Sequence, residues 1–204
     1  QSFGGLMASG LLNVVGEHMN GLQMAGIANI TASKLNGMQI ALCNYATQAR
    51  GLQIGLVNYY KEDMKGFQLG LVNANPDTRV QMMVYGGNAT PANIGVRFKN
   101  QLFYTILGVG SMYQGLNDKF SASASYRAGL SFPLYKGLSI SGDLGYQHIE
   151  AFDNKDEVIP KRLYALQARA NLEYQFTRKF GIFATGGYGL TRFYNKSSNY
   201  DKGA

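Results

Sequence analysis

Two histidines, one cysteine and scattered acidic and hydroxyl residues are the chain's stock of reactive side chains. A metal site needs clustered His, Cys, Asp or Glu. His18 and His148 stand far apart, and neither has ligand spacing around it. Asp153-Asn-Lys-Asp-Glu157 gathers carboxylates, but it lacks the glycine and ligand order of a calcium loop and reads as a solvated turn. Nucleophilic catalysis needs a Ser or Cys beside a base and an orienting acid. His148 and Glu150 share one face of an alternating segment, whereas Ser139 and Ser141 point to the other. Cys43 lies within Gln39-Ile-Ala-Leu-Cys-Asn44 and is expected as a small buried hydrophobe. Gly86-Gly87 and Gly186-Gly-Tyr-Gly189 lack the lysine and helix of a phosphate loop, so they are assigned to strand curvature and close packing. No enzymatic activity, metal or cofactor is expected.

One constellation is left. Arg97, Lys99, Arg127 and Arg169, with Asp143 and Glu173, fall on the polar face of alternating segments. Buried charges must be paired or hydrated. Such a set either fills a narrow lumen as a network or, through its excess of cations, lines a water path that favours anions. Gln23, Gln39, Gln53 and Gln68 recur at one position of a repeat and supply uncharged hydrogen-bonding groups suited to either role.

The elements that must hold these residues are strands. Gly5, Gly21, Gly37, Gly51 and Gly66 open similar phrases at spacings of 16, 16, 14 and 15 residues. The clearest copies are Gly51-Leu-Gln-Ile-Gly-Leu-Val-Asn58 and Gly66-Phe-Gln-Leu-Gly-Leu-Val-Asn73. Leu52, Ile54 and Leu56 alternate with Gln53, Gly55 and Val57, a period of two that means strand. One strand per repeat fits a parallel solenoid or an antiparallel meander. In the meander, a loop at 60–63 would pair Tyr59 with Met64 and set Leu56 against Phe67. The second half alternates for longer: Tyr164, Leu166, Ala168, Ala170, Leu172 and Tyr174 oppose Gln167, Arg169, Asn171 and Glu173. Sustained alternation with aromatics towards the ends of the apolar face is how a transmembrane β-barrel strand is written. The expectation is therefore an all-β, antiparallel transmembrane β-barrel of about 12 strands (10–14) with short connections. It would form a single domain over 1–204, with repeat-built strands at 5–79, longer strands at 80–195 and a tail at 196–204.

Composition narrows the classes. Charged residues are only 15% and hydrophobic ones 46%, and the abundance of aliphatics and aromatics, with 14 Tyr and 11 Phe, argues against disorder. No apolar run reaches the length of a membrane-spanning helix. The net charge of +7 is spread singly, without a basic run or a matching motif, so no nucleic-acid partner is expected. Gln1-Ser-Phe3 opens without a charged and then apolar leader, consistent with a cytosolic protein or with an exported one whose signal peptide is already removed.

On these residues the chain resembles bacterial outer-membrane β-barrels. Residues 5–73 resemble the tandem surface-repeat family of Gram-negative bacteria that carries the Gly-Leu-Gln-Ile-Gly-Leu-Val-Asn phrase. The resemblance implies residence in the bacterial outer membrane as a multi-pass barrel. It implies contact with outer-membrane lipid or lipopolysaccharide and with protein partners in an envelope complex. The corresponding function is that of a non-enzymatic structural or accessory subunit. Its alternatives are a narrow anion-preferring, porin-like channel and a surface-displayed repeat protein binding glycan or a host ligand. Such barrels end on an aromatic residue, a place that Phe193 or Tyr194 would take, whereas this chain reads Asp201-Lys-Gly-Ala204.

Overall fold

The computed structural model describes residues 1–87, 90–111, 120–152, 161–177 and 179–194. The acidic run Asp153–Glu157 and the segment 196–204 lie outside the described residues. In place of a single barrel, the chain divides into two compact units. The first comprises Gln1–Val80 with Phe98–Thr105, and the second Gln81–Arg97 with the residues from Ile106 onward.

The first unit is a parallel β-solenoid, which corrects the expected antiparallel barrel strands. Its strands are β1 (Phe3–Ser9), β2 (Leu12–Val15), β3 (His18–Ala25), β4 (Ala28–Ile40), β5 (Cys43–Ile54), β6 (Val57–Leu69) and β7 (Val72–Ala74). Neighbouring copies pair in parallel, so Gly5, Gly21, Gly37, Gly51 and Gly66 stack in one column. The segment 60–63, expected as a hairpin loop, lies within β6. Tyr59 pairs with Tyr45 and Met64 with Ala49, not with each other. Each coil folds back on itself through a tight corner, such as Ala41-Leu42, and through a bend marked by register shifts at Thr31/Lys34 and Ala46/Gln48. The physical reason for the parallel arrangement is like-on-like stacking. Only a parallel register puts each Gln and Asn over its own counterpart, where side-chain amides bond in ladders.

The second sheet runs in the order β14-β13-β12-β11-β10-β9-β8. Its strands are β8 (Arg79–Tyr85), β9 (Ala92–Asn100), β10 (Phe103–Ser111), β11 (Ser121–Tyr135), β12 (Leu138–Ala151), β13 (Lys161–Gln175) and β14 (Gly181–Tyr194). The pairs β11–β12, β12–β13 and β13–β14 are antiparallel. The order is open, with β14 and β8 at its ends, so this sheet is not a closed barrel either. It is strongly curled, because the rings of Tyr85 on β8 and Phe183 on β14 meet edge to face at 6.2 Å. One further expectation is corrected. Cys43 is exposed rather than buried, since Asn44 takes the inward position beside it. Tyr104 and Ile106 are buried in β10.

Candidate functional site

Along β11, β12 and β13 the polar residues point inward and the apolar ones outward. Ser131, Ser141, Asp143, Gln147 and Asn171 are buried, while Leu130, Phe132, Ile140, Leu144, Leu166 and Leu172 are exposed. The strand register explains how the inward residues meet. Asp143 stands directly opposite Arg169, and Gly145 opposite both Arg127 and Gln167.

Asp143 is the hub. Arg169 donates to it through Nε at 2.9 Å and Nη2 at 3.2 Å, Asn171 Nδ2 at 2.9 Å, and Arg127 Nη1 at 3.5 Å. Arg127 also donates to Gln167. A second ion pair is bidentate: Arg97 Nη1 and Nη2 each lie 2.8 Å from a Glu173 oxygen, and Arg97 Nε donates to Gln81. Ser141 joins the two pairs, donating to Glu173 at 2.6 Å and accepting from Asn171 at 3.2 Å. Fork-to-fork pairing of this kind fixes geometry as well as charge. A cavity of about 370 Å³ lies alongside, with Arg127, Arg169, Gln147, Gln167, Thr90 and Phe183 among its lining residues.

Five of the six sequence-selected charges therefore meet in the second unit. Lys99 does not, because the chain has crossed into the first unit at Phe98. There it borders a cavity of about 420 Å³ with Lys61, Glu62, Asp63 and Arg79. Gln23, Gln39, Gln53 and Gln68 are likewise not in a barrel lumen. They form a buried ladder in the solenoid, with Gln39, Gln53 and Gln68 each donating Nε2 to the Oε1 of the preceding glutamine at 2.8, 2.8 and 2.9 Å. The reactive residues stay apart: His148 lies 4.0 Å from Glu150, while Ser141 is committed to the inward network. Among the described residues no cluster of His, Cys, Asp and Glu is arranged to hold a metal.

Sequence reasoning overlooked Gln147, which donates to Thr90 and Ser123 at 3.1 Å each. It also passed over an asparagine column: Asn13, Asn29, Asn44, Asn58 and Asn73 bond side chain to side chain at 2.9–3.0 Å. Their recurrence at the end of every phrase was the available signal. Strand glycines read as curvature devices also have a packing role. A Cβ on Gly145 would meet Arg127 Cγ at 2.4 Å, and one on Gly187 would meet Arg169 Cγ at 2.9 Å. These glycines leave room for the guanidinium stems to lie across the sheet.

The inversion of polarity stops at one end of the sheet. Ile149, Ala151, Leu163 and Ala165 are buried there, and the residues facing outward are His148, Glu150 and Arg162. Tyr146 and Tyr164 stack at 5.8 Å where the two regimes meet. The inverted stretch of β13 runs from Leu166 to Tyr174.

These features define an all-β chain made of a parallel solenoid and an open, curled antiparallel sheet with an ionic, amide-rich interior. Compared with family models, curated proteins and solved structures, the chain matches none. The resemblance to outer-membrane barrels and to the surface-repeat family is therefore corrected. Neither the parallel fold of the repeats nor any match carries it.

Proposed function

We propose that the protein is a non-enzymatic structural or accessory subunit of a bacterial outer-membrane assembly, seated in lipid through its second sheet. The observation that carries this reading is the inverted polarity of that sheet, confined to a belt. In water, exposed apolar faces of this extent mark interaction surfaces. The belt on β13 has the length of a membrane-crossing strand, about 9–11 residues when tilted. Outside the belt the order reverses to polar-out and apolar-in, with stacked tyrosines at the change, as at a lipid–water boundary.

The open order supports the subunit part of the reading. Hydrocarbon does not tolerate unpaired strand edges. The edges of β14 and β8 therefore need a protein partner, and strand addition to β14 is the direct way to provide one. An anion channel has less in its favour, because Arg97, Arg127 and Arg169 are engaged with Glu173 and Asp143.

The full chain, reconstituted with phosphatidylcholine vesicles, is expected to float with them and to resist alkaline extraction. Purified from membranes in mild detergent, it is expected to retain a second polypeptide. Flotation failure, or stable monodispersity in buffer without detergent, would overturn the membrane reading. Isolation strictly alone and monomeric would overturn the subunit reading.

A further inference from the structure

The solenoid carries the same inversion, built from different residues. At the corner end of each coil the interior is polar, holding the Gln and Asn ladders, all buried. The outside there is aliphatic. Leu11, Ile27, Leu42, Leu56 and Leu71 occupy successive corners and are 66, 53, 49, 48 and 38% exposed. At the opposite end the arrangement is conventional. Val15, Met19, Leu35, Ala46 and Ala49 form a buried apolar cluster. The outward positions of that end include Lys34 beside His18, Arg50 beside Lys65, and Gln48 bonded to Glu62. Between the two ends Tyr45 and Tyr59 stack at 5.8 Å on the outside.

We propose that the aliphatic corner edge of the solenoid is immersed in the acyl interior of a lipid bilayer, with the charged bend of each coil in water. This rests on the membrane reading above and extends it to a unit whose evidence is separate.

The corner backbone is compatible with hydrocarbon. In lipid every N–H and C=O near the surface must be satisfied from within the protein. Each corner bonds to the next: Ile27 N donates to Leu11 O at 2.9 Å, Cys43 N to Ile27 O at 2.8 Å, and Leu56 N to Leu42 O at 2.8 Å. The carbonyls just before the corners are taken by the asparagine column. Asn13, Asn29 and Asn44 donate through Nδ2 to Met24, Ile40 and Ile54 oxygens at 2.7, 3.0 and 2.7 Å. The same bonding would also serve a corner in water, so the choice of lipid rests on the aliphatic side chains outside, the charged bend opposite and the tyrosines between them. With five coils at about 4.8 Å spacing, the edge extends about 20 Å along the stack.

Cys43 sits on this wall, aligned with Ala28 and Val57, and is exposed, so the native chain already carries a labelling position. An environment-sensitive fluorophore on Cys43 is read in the full chain reconstituted in phosphatidylcholine vesicles, using doxyl-labelled lipid and aqueous iodide as quenchers. Two reference labels are placed on a Cys43→Ser background, at Gln48→Cys for the charged bend and at Leu144→Cys for the outer face of the sheet. The expected result is quenching of the Cys43 and Leu144→Cys probes several-fold more by doxyl lipid than by iodide, with the reverse for Gln48→Cys. Iodide quenching at Cys43, with lipid quenching at Leu144→Cys, overturns this inference and leaves the sheet's membrane reading standing. Iodide quenching at both overturns both. A Cys43 probe shielded from both quenchers, together with a Cys43–Cys43 cross-link, shows that a second copy covers the edge and overturns the lipid assignment.

Discussion

Replacement of Gly51 by alanine is expected to cost unit 1 about 2–5 kcal/mol. Two penalties combine. Gly51 has φ +131°, a conformation that residues with a Cβ rarely adopt. The added Cβ would also stand 1.9 Å from the Gly37 carbonyl oxygen and 2.9 Å from its carbon. The obstacle is backbone, so no rotamer change relieves it, and the coils must part. Gly21, Gly37 and Gly66 meet the preceding glycine oxygen at 2.1, 2.0 and 1.8 Å and are expected to behave alike. Gly5 provides the internal control. It has φ +115°, but a Cβ there meets nothing within 4 Å. Gly5→Ala should therefore lose only the conformational share, about 1–3 kcal/mol. Urea unfolding of the full chain in detergent, with amide exchange followed over residues 28–69, measures both variants. Equal losses at Gly5 and Gly51 would show that the stacked approach of the glycines contributes nothing.

The glycine column also shows what sequence could and could not convey. The five glycines and their spacing were plain, as was the alternation of Leu52, Ile54 and Leu56 with Gln53. Alternation reports faces, and it is identical for parallel and antiparallel neighbours. The direction of pairing depended instead on the stacking of each Gln and Asn over its own counterpart, and on backbone that approaches closely at the positive-φ glycines, neither of which alternation reports. A repeat of about 15 residues fits one strand and a loop as readily as one solenoid coil, and the structure shows the coil, with its corner and its bend. In the second sheet the inward set Arg97, Arg127, Asp143, Arg169 and Glu173 was legible because long alternation leaves little freedom of register. Lys99 failed because alternation cannot see where a strand passes from one compact unit to the other. Cys43 failed for a related reason. Burial was inferred from its apolar neighbours, and in this solenoid the aliphatic positions near the corners are the outside. The absence of closure between β8 and β14 had no sequence signal at all, since an edge strand and a paired strand can carry the same pattern.

Adjacent residues of β12 allow the inversion itself to be tested. Asp143 is 4% exposed and Leu144 is 67% exposed, the reverse of what their side chains favour in a water-soluble protein. Asp143→Ala leaves Arg127 and Arg169 buried without their shared carboxylate, and Arg127 already has an unpartnered Nε. Breaking a buried ion pair from one side costs about 3–5 kcal/mol, because an uncompensated charge is left behind. The expected result is a loss of that size in the unfolding free energy of the full chain in detergent. Asp143→Asn should lose less, since the amide oxygen still accepts from Asn171 and Arg169. Removing both partners is the decisive arm. Asp143→Ala combined with Arg169→Ala should destabilise by clearly less than the sum of the two single variants, because the double variant no longer strands one full charge. Strict additivity would mean that the network is a juxtaposition without energetic coupling. Leu144→Lys supplies the opposite sign. On a soluble surface it would change stability little, but at the middle of a lipid-facing belt a lysine costs about 2–4 kcal/mol. On the membrane reading proposed above, it should therefore lower vesicle partitioning while leaving the Asp143 network intact. A chain in which Asp143→Ala is tolerated and Leu144→Lys is silent would not be inverted at all.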